Sequence, residues 1–261
     1  MIDFHNHLMP AVDDGAGDAE QAEQALRACL EQGVRTVVAT PHVNGALTGD
    51  ARGVAERLAE LDRGWEALVA VGAAVPEVRL LRGAEVMLDT PHPDLSDPRL
   101  RLGGTAYVLV EFPFMTVPPN ATQALFDLRM RGWTPVLAHP ERYGNAPAEL
   151  RGPEEWRRVG ALLQVNAGSL LGRYGSEAQR VANGLLARGW ADFISSDYHA
   201  RGRLSVADAR AELERRGAGE QARLLMEENP RRMLAGEAPL PVPPLAAAPP
   251  LWRRVLGLGR G

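Results

Sequence analysis

Residues 1–7 read MIDFHNH, a short strand-like run that contains two histidines separated by one residue. Side chains at positions i and i+2 of a strand point to the same side, so the imidazoles of His5 and His7 can reach one ion. Imidazole nitrogens and carboxylate oxygens are the usual ligands of catalytic divalent metals. This opening stretch therefore predicts a strand whose end faces a metal site.

Strand-like and helix-like segments alternate along the rest of the chain. We predict strands at Ile2–His5, Arg35–Thr40, Val78–Val86, Ala106–Phe112, Thr134–Ala138, Ala161–Asn166 and Asp192–Ser196. We predict helices at Ala19–Gln32, Asp50–Val71, Asn120–Arg131, Glu154–Gly160, Ser176–Arg188, Ser205–Arg215 and Gly219–Glu228. Repeated βα units imply parallel strands with crossover helices. Seven units favour a closed or nearly closed α/β barrel, with a doubly wound open sheet as the alternative.

Most of the predicted strands lead into a further candidate ligand. These are His42, Glu85, Glu111, His139, Asp197 and His199, while Asp13 and Asp14 offer carboxylates in the loop after the first strand. The carboxyl ends of barrel strands converge on one face, so residues far apart in sequence can share a pocket. With His5, His7 and one of the two aspartates, the set has nine side chains, which are too many for one tetrahedral ion and suit two or three ions.

Each candidate ligand also has an ordinary structural interpretation when it is considered alone. A single buried histidine is more often a hydrogen-bonded core residue, and a carboxylate after a strand often caps the next helix. Glu85 and Glu111 are the most informative, because each follows an apolar strand in which an unpaired carboxylate would be costly. The recurrence of ligand-type residues at successive strand ends favours the metal site.

Arg142 lies three residues after His139, in the segment His139-Pro140-Glu141-Arg142. Its guanidinium group can bind two phosphate oxygens at once, so we interpret it as a phosphate-binding residue of the metal pocket. The alternative is a surface salt bridge with Glu141 or Asp127.

Composition limits the classes of protein that this chain can represent. The 261 residues carry 29 basic and 33 acidic side chains and a formal net charge of -4, which gives no support for a general nucleic-acid surface. A single cysteine rules out an internal disulfide framework. No signal peptide and no membrane-spanning apolar stretch is visible, so we expect a reduced, cytoplasmic setting.

The C-terminal part of the sequence differs in character from the rest. We predict a single domain over residues 1–236, followed by a Pro/Ala-rich linker and short tail over residues 237–261. The segment Leu251–Leu258 is interpreted as a frayed terminus or one that packs on its own domain. The alternative is a short amphipathic anchor for a partner or a membrane surface.

The ordered set of motifs resembles the PHP (polymerase and histidinol phosphatase) superfamily. The motifs are MIDFHNH with VDDG, TPH at His42, GAEV at Glu85, VEFP at Glu111, AHPERY at His139, SSDYH at Asp197, and ENPRR from Glu228. The resemblance runs to about residue 235 and is closest to the manganese-dependent tyrosine-protein phosphatases of bacterial capsule and exopolysaccharide operons. It implies a distorted, TIM-barrel-like, seven-stranded (β/α)7 barrel.

The resemblance also implies a trinuclear site and the residues that form it. Manganese is the expected metal, with iron, cobalt and zinc as alternatives. Carried over position by position, the ligands are His5, His7, Asp14, His42, Glu85, Glu111, His139, Asp197 and His199. Arg142 matches a family arginine near the substrate phosphate.

The activity that follows is hydrolysis of phosphotyrosine monoesters by a metal-activated hydroxide. The resemblance implies a substrate on the cytoplasmic tail of a polysaccharide-biosynthesis tyrosine kinase. His42 and His199 are the candidates for any proton donor to the leaving group. The alternatives are a phosphatase of a small phosphomonoester such as histidinol phosphate, and a metal-binding barrel without turnover. Metal analysis with a chromogenic aryl-phosphate assay separates the last of these.

One further motif points to a different chemistry. Cys29 and Arg35 have the C-x5-R spacing of cysteine-dependent tyrosine phosphatases. In those enzymes the cysteine ends a strand and the loop leads into a helix, whereas here Cys29 lies late in a predicted helix and Arg35 begins a strand. We therefore interpret the spacing as a coincidence.

Overall fold

The computed structural model describes residues 1–144 and 150–245, which form an α/β fold with parallel sheets. The described strands are β1 (Ile2–Asp3), β2 (Thr36–Ala39), β3 (His42–Asn44), β4 (Arg79–Arg82), β5 (Glu85–Met87), β6 (Tyr107–Glu111), β7 (Thr134–Ala138), β8 (Leu162–Asn166) and β9 (Phe193–Ser195). One sheet has the order β1-β2-β4, and the other has the order β3-β5-β6-β7-β8-β9. Every paired strand in both sheets is parallel.

Helices connect the strands in the way that parallel pairing requires. The α-helices are α1 (Ala19–Glu31), α2 (Ala51–Gly72), α3 (Ala121–Met130), α4 (Arg151–Arg158), α5 (Ala167–Leu170), α6 (Ser176–Ala187), α7 (Val206–Arg215), α8 (Gly219–Arg223) and α9 (Asn229–Leu234). Asp18 caps α1, because its side chain accepts a hydrogen bond from the Gln21 amide at 2.9 Å. Gly33 follows the helix with φ 79°, a conformation that favours glycine.

The prediction of seven strands is wrong, because one strand was not predicted and another predicted strand is divided in two. The predicted strand Arg35–Thr40 is followed by Pro41, which has no amide hydrogen to donate to a sheet, and the additional strand β3 begins at the next residue. The predicted strand Val78–Val86 is interrupted at Gly83 and Ala84. Both chain segments therefore pass from the three-stranded sheet into the six-stranded sheet.

The first and last strands of the chain are linked just beyond their ends. Asn6 and Tyr198 form an isolated parallel bridge. The His7 amide donates to the Tyr198 carbonyl at 2.9 Å, and the Asp197 amide donates to the His5 carbonyl at 2.8 Å. These bonds place the motif at residues 5–7 directly beside the motif at residues 197–199.

An apolar cluster is shared by strands of both sheets. It includes Phe4, Val38, Leu109, Val136 and Phe193, all of them fully buried. The rings of Phe4 and Phe193 pack edge to face with centroids 5.1 Å apart. Burying these side chains from β2, β6, β7 and β9 and from the end of β1 holds the strands around a common interior.

The C-terminal segment that was predicted to be a linker is packed over its described part. The Leu245 amide donates to the Leu186 carbonyl of α6 at 2.9 Å, and both Val242 and Leu245 are buried. The Asn229 side chain also exchanges two hydrogen bonds with the backbone of Leu240. The domain boundary at residue 236 stays a prediction, and residues 246–261, including Leu251–Leu258, lie outside the described residues. Among the described helices, none is long and apolar enough to cross a membrane.

Candidate metal centre

Strand ends position the side chains of the candidate site. His42 and Glu85 are register partners at the first residues of β3 and β5, and Glu111 lies at the last residue of β6. His139 and Asp197 follow β7 and β9 within two residues. His42 and Glu85 also lie three residues after the ends of β2 and β4, so all five side chains lie near the carboxyl ends of parallel strands and reach the same end of the fold.

Glu85 lies at the middle of the cluster and is fully buried. Its Oε2 atom is 3.1 Å from His5 Nε2, 3.4 Å from His7 Nε2 and 3.2 Å from His42 Nδ1. Its Oε1 atom is 3.0 Å from His139 Nε2. One carboxylate is thus in contact with four imidazoles from three different parts of the chain.

The remaining candidates extend this cluster toward solvent. Asp197 Oδ1 lies 3.3 Å from His5 Nε2, 3.5 Å from His7 Nε2 and 3.7 Å from His199 Nδ1. Asp14 Oδ1 lies 3.4 Å from His199 Nε2 and 3.6 Å from His42 Nε2, and Glu111 Oε1 lies 3.2 Å from His42 Nδ1. The fold therefore brings all nine predicted side chains together.

The donor atoms fall into three overlapping groups, each compact enough to surround an ion. The groups are His5, His7, Glu85 and Asp197; then His7, Asp14, His42 and His199; and then His42, Glu85 and Glu111. Within each group one donor atom per residue lies within 4.8 Å of the others. Because His7, His42 and Glu85 belong to two groups each, any ions held there would be close neighbours that share ligands.

Unpaired polar atoms at the centre fit this interpretation. His5 Nε2, His7 Nε2 and Glu85 Oε2 are buried and lack hydrogen-bond partners of good geometry among the described residues. A buried polar atom without a partner costs about 1–3 kcal/mol. These atoms converge on one another, so one cation between them would satisfy several at once. The residues present therefore fit a divalent metal.

The electrostatics of the centre are those of a site that attracts positive charge. Burial lowers the pKa of His5, but the carboxylates of Glu85 and Asp197 raise it further, to about 9. Burial raises the pKa of Glu85, yet His5 and His139 bring it well below its usual range. Burial and the neighbouring His7 lower the pKa of His199 at the rim. Without a cation, the buried carboxylates keep protons on the inner histidines.

Asp13 contacts His7 and His42 on the side away from the cluster of donor atoms, a role that the sequence interpretation did not assign. Its Oδ2 atom is 2.8 Å from His7 Nδ1 and also accepts the His42 amide at 3.0 Å. Metal-binding histidines commonly donate their second ring nitrogen to a carboxylate in this way. Asp14, the predicted ligand, faces the rim with its side chain 61% exposed. The two adjacent aspartates thus face different parts of the site.

Two amide side chains were also missed by the sequence interpretation. Gln164 Oε1 lies 2.8 Å from His5 Nδ1, and Asn166 Nδ2 donates to Asp197 Oδ2 at 2.7 Å. Both side chains are fully buried at the end of β8. The signal was present as polar residues at i and i+2 in the run LLQVN, the same spacing that singled out His5 and His7.

The backbone is in an unusual conformation at two of the candidate ligands. His139 has φ 36° and Asp197 has φ 55°, values in the left-handed region that non-glycine residues rarely adopt. Residues held in such conformations cluster at functional sites, where surrounding structure compensates their cost of about 1–3 kcal/mol. Both turns direct a ligand-type side chain to the cluster at the end of a strand.

Arg142 lies at the edge of the centre but has a different partner from the two that the sequence suggested. Its Nη1 atom is 2.5 Å from Asp197 Oδ2, and neither Glu141 nor Asp127 is its salt-bridge partner. Its guanidinium carbon lies 4.3 Å from the ring centroid of Tyr174. These two contacts hold the guanidinium group beside the ligand cluster, where it can meet an anion.

Cys29 is a core residue of α1 and carries no features of a nucleophile. Its side chain is fully buried, and burial raises the pKa of its thiol well above its usual value. Arg35 hydrogen-bonds the carbonyl of Leu30 at the end of the same helix. The C-x5-R spacing therefore forms no phosphate loop, as the sequence interpretation held.

Comparison with known proteins identifies relatives of this chain. It is 35% identical over 202 residues to the tyrosine-protein phosphatase YwqE of Bacillus subtilis, covering 76% of this chain and 77% of that protein. It is 30% identical over 203 residues to the putative tyrosine-protein phosphatase CapC of Staphylococcus aureus, covering 77% of each.

A solved structure extends the comparison to the fold. It comes from crystal structures of YwqE from Bacillus subtilis and CpsB from Streptococcus pneumoniae, which are described as unique metal-dependent tyrosine phosphatases. It superposes with a TM-score of 0.75 at 32% identity and covers 95% of this chain and 99% of that chain. Residues 1–235 match the family described as capsular polysaccharide synthesis, CpsB/CapC. The chain therefore belongs to the CpsB/CapC family of capsular polysaccharide synthesis proteins.

Proposed function

We propose that this protein is a metal-dependent protein-tyrosine phosphatase that hydrolyses phosphotyrosine monoesters. The main supporting observation is the convergence of unpaired buried donor atoms from His5, His7 and Glu85 beside the guanidinium group of Arg142. Such a cluster has ligands for cations and an adjacent group for phosphate oxygens. Relatives named as tyrosine-protein phosphatases at 30–35% identity support the same activity.

The proposed ligands are the nine residues predicted from sequence. They are His5, His7, Asp14, His42, Glu85, Glu111, His139, Asp197 and His199, and they would hold two or three divalent ions, with manganese the expected metal. Bound ions would supply a water of lowered pKa as nucleophile and would neutralise charge on the phosphate. The partly exposed rim at Asp14, His42 and His199 gives a substrate access to the centre.

Arg142 would orient the phosphate group. Its side chain is 26% exposed, so part of the guanidinium group remains accessible while Asp197 and Tyr174 hold it in place. A planar guanidinium group that binds two oxygens stabilises the charge that develops as the ester bond breaks. The leaving phenol has a pKa of about 10, so it needs less protonation than an aliphatic alcohol.

His42 and His199 are the proposed proton donors to that phenol, in the case that the bound ions leave one of the two rings unliganded. Both rings lie at the rim, with side-chain exposures of 35% and 23%. Each has a carboxylate oxygen of Asp14 within 3.6 Å, which can hold the ring in place. An imidazole at the rim can exchange protons with solvent between turnovers, as a general acid must.

We further propose that the two sheets form a single distorted barrel. The bridge between Asn6 and Tyr198 and the apolar cluster around Phe4 and Phe193 support this arrangement. In such a barrel the site lies at the carboxyl ends of the strands. The proposed substrate is a phosphotyrosine on the cytoplasmic tail of a polysaccharide-biosynthesis tyrosine kinase, so the protein would act in the cytoplasm.

The experiment compares three substrates on purified protein with defined metal content. We expect manganese-loaded protein to hydrolyse a phosphotyrosine peptide far faster than histidinol phosphate, and to hydrolyse a chromogenic aryl phosphate as well. Chelation should abolish these activities, and a divalent ion should restore them. Faster hydrolysis of histidinol phosphate would support the small-substrate alternative instead. Full activity after complete metal removal would contradict the proposal.

A further inference from the structure

A groove next to the metal centre carries three arginines that the proposed mechanism does not use. Asp197 and His199 of the centre line its inner end, and Arg173, Arg201 and Arg203 line the rest. The groove and the centre share these two residues. The part of a substrate polypeptide that adjoins a phosphotyrosine bound in the centre can therefore enter the groove.

Most charged side chains that line this groove are arginines, and carboxylates outside the lining pair with them. Arg173 and Arg203 share one carboxylate, that of Asp208, at 3.2 and 2.9 Å. Arg201 contacts Asp14 at the rim of the centre. The Arg203 side chain is 72% exposed and that of Arg201 is 64% exposed, so both can reach a ligand. Among the described residues that line the groove, Asp197 is the one carboxylate, and it belongs to the centre.

A second groove on the other side of Tyr174 has a different charge. It is lined by Glu141, Arg142 and Glu177, and Glu177 pairs with Arg180 at 2.5 Å. Two acidic side chains and one basic side chain therefore line this groove. A peptide that crosses the centre would have an arginine-rich groove on one side and a mixed groove on the other.

We propose that the arginine groove binds an acidic side chain close in sequence to the phosphotyrosine of a protein substrate. The proposal rests on the proposed phosphatase function and names its substrate class, a phosphotyrosine segment with an Asp or Glu on one side. Guanidinium groups bind carboxylates with two parallel hydrogen bonds, which gives geometric selectivity as well as affinity.

The test uses two phosphotyrosine peptides of equal length, one with Asp and Glu around the phosphotyrosine and one with Asn and Gln at the same positions. Exposed ion pairs contribute about 0.2–1 kcal/mol each, so for one acidic side chain in the groove we expect up to roughly a fivefold preference in kcat/KM for the acidic peptide. The preference should appear mainly in KM and should shrink at high salt. Arg203→Ala should reduce it, and Arg203→Glu should reverse it, while hydrolysis of a chromogenic aryl phosphate stays unchanged.

Arg223→Ala is the matched control, because Arg223 is an exposed arginine on α8 that pairs with Glu220. It should keep the wild-type preference. Equal hydrolysis of the two peptides by wild-type protein would overturn the groove proposal and leave the phosphatase function intact. Hydrolysis of aryl phosphate with neither peptide accepted would contradict the proposed function and the groove proposal together.

A separate observation concerns β8, whose residues include no candidate ligand. Gln164 and Asn166 point to the same side of this strand, and both side chains are fully buried. They connect His5 to Asp197 through three hydrogen bonds of 2.7–2.8 Å. The connection crosses the centre between ligands that are far apart in the chain.

The direction of every hydrogen bond in this connection follows from its carboxylate end. A carboxylate that binds a cation is ionised, so Asp197 as a ligand can only accept hydrogen bonds. Asn166 must therefore donate its Nδ2 to Asp197 and accept from Gln164 Nε2 with its Oδ1. Gln164 Oε1 is left to accept from His5 Nδ1, so His5 presents Nε2 to the cluster.

We infer that Gln164 and Asn166 are positioning residues that determine which atoms of His5 and Asp197 face the cations. They assign Nε2 of His5 and Oδ1 of Asp197, the two atoms that lie 3.3 Å apart. Replacing a residue that holds a metal ligand in this way commonly weakens metal binding tenfold to a hundredfold.

The test measures metal dissociation constants by competition with a chelator, without substrate. Gln164→Leu keeps the approximate volume but cannot hydrogen-bond, and we expect roughly tenfold to hundredfold weaker metal binding. Asn166→Ser provides a second, smaller change for the case that Gln164→Leu fails to fold. Gln123→Leu, at an exposed position of α3, is the control. A dissociation constant within twofold of wild type in both variants, even with a lowered Tm of the metal-free protein, would overturn the inference.

Discussion

Asp3 and Glu85 are both fully buried carboxylates, but their neighbours have different chemistry. Asp3 accepts hydrogen bonds from the amide of Ser196 at 2.9 Å, from the Ser196 hydroxyl at 2.6 Å and from the Ser195 hydroxyl. Burial raises the pKa of Asp3. Glu85 is surrounded by imidazoles that lower its pKa against the effect of burial, and its Oε2 has no hydrogen bond of good geometry.

The difference shows how a structural carboxylate can be told from a functional one. The hydroxyl and amide donors around Asp3 satisfy it permanently, and they join β1 to the end of β9. The imidazoles around Glu85 can exchange their protons for a metal ion, because imidazole nitrogen is a good ligand once it is deprotonated. Burial alone does not identify a functional carboxylate, whereas the type of donor around it does.

The largest expected effect separates these two carboxylates directly. Glu85→Gln should lower kcat/KM on a phosphotyrosine peptide by about a thousandfold or more and should reduce bound metal, because four histidines lose their shared partner. Asp3→Asn should keep its bound metal and should lower the free energy of unfolding by about 1–3 kcal/mol. Metal analysis, a peptide assay and thermal unfolding measure the three quantities. Equal metal loss in both variants would remove the distinction.

The histidines around Glu85 should give the metal-free protein a particular pH dependence. The pKa of His5 is about 9 in the folded protein against 6.5 for a free histidine, so its stabilising contribution is complete below pH 6.5. That contribution is lost as the pH rises through 9, at a cost of about 3 kcal/mol at most. Denaturant unfolding in chelator from pH 6 to pH 10 measures it.

Metal should reverse this trend, because protons compete with cations for the same nitrogens. The metal-loaded protein should therefore gain stability over part of the range in which the metal-free protein loses it. Asp3→Asn is the control and should retain both trends, since its neighbours are hydroxyl and amide groups. A metal-free protein whose stability rises from pH 6.5 to 9 would show that Glu85 does not keep the imidazoles protonated.

Arg142 tests whether phosphate binding is separate from metal binding. Arg142→Ala should lower kcat/KM by roughly tenfold to a hundredfold, because two charge-assisted hydrogen bonds to the phosphate are lost. Its metal content should stay close to that of wild type, since Asp197 keeps its bond from Asn166. Arg188→Ala, at an arginine that packs on Trp190, should leave both quantities unchanged. Unchanged kcat/KM in Arg142→Ala would exclude it from the active site.

Asp13 should show the smallest effect of the four, because it contacts the centre only through His7 and the His42 amide. Asp13→Asn keeps an oxygen acceptor but removes the negative charge. We expect metal binding about tenfold weaker, as measured by competition with a chelator. Affinity equal to wild type would mean that the charge of Asp13 does not act on His7.

Much of the candidate site could be predicted because histidine, aspartate and glutamate residues recur at successive strand ends. His5 and His7 share a side of their strand by simple periodicity, and β7 has the bounds that its apolar run predicted, Thr134–Ala138. The nine predicted side chains are brought together because the strands that pair among the described residues are parallel. The family resemblance then selected Asp14 from the adjacent pair of aspartates, a choice that residue types alone left open.

The remaining features depend on contacts between distant parts of the chain. Asp197 lies 55 residues from its partner Arg142, and no local pattern indicates that pairing. Gln164 and Asn166 are amides, which are too common at buried turns and strand ends to mark a site alone. The additional strand after Pro41 and the division of the predicted strand Val78–Val86 depend on sheet pairing, and the packing of residues up to Leu245 depends on α6. Tertiary context decided each of these features.

The central claim is that residues around Glu85 hold several cations in one cage. Its most direct test is the metal-to-protein ratio of purified protein, measured together with hydrolysis of a phosphotyrosine peptide. We predict two or three divalent ions per chain in wild type and a marked loss of metal and activity together in Glu85→Gln. Protein that hydrolyses the peptide at full rate with less than one ion per chain would contradict the account.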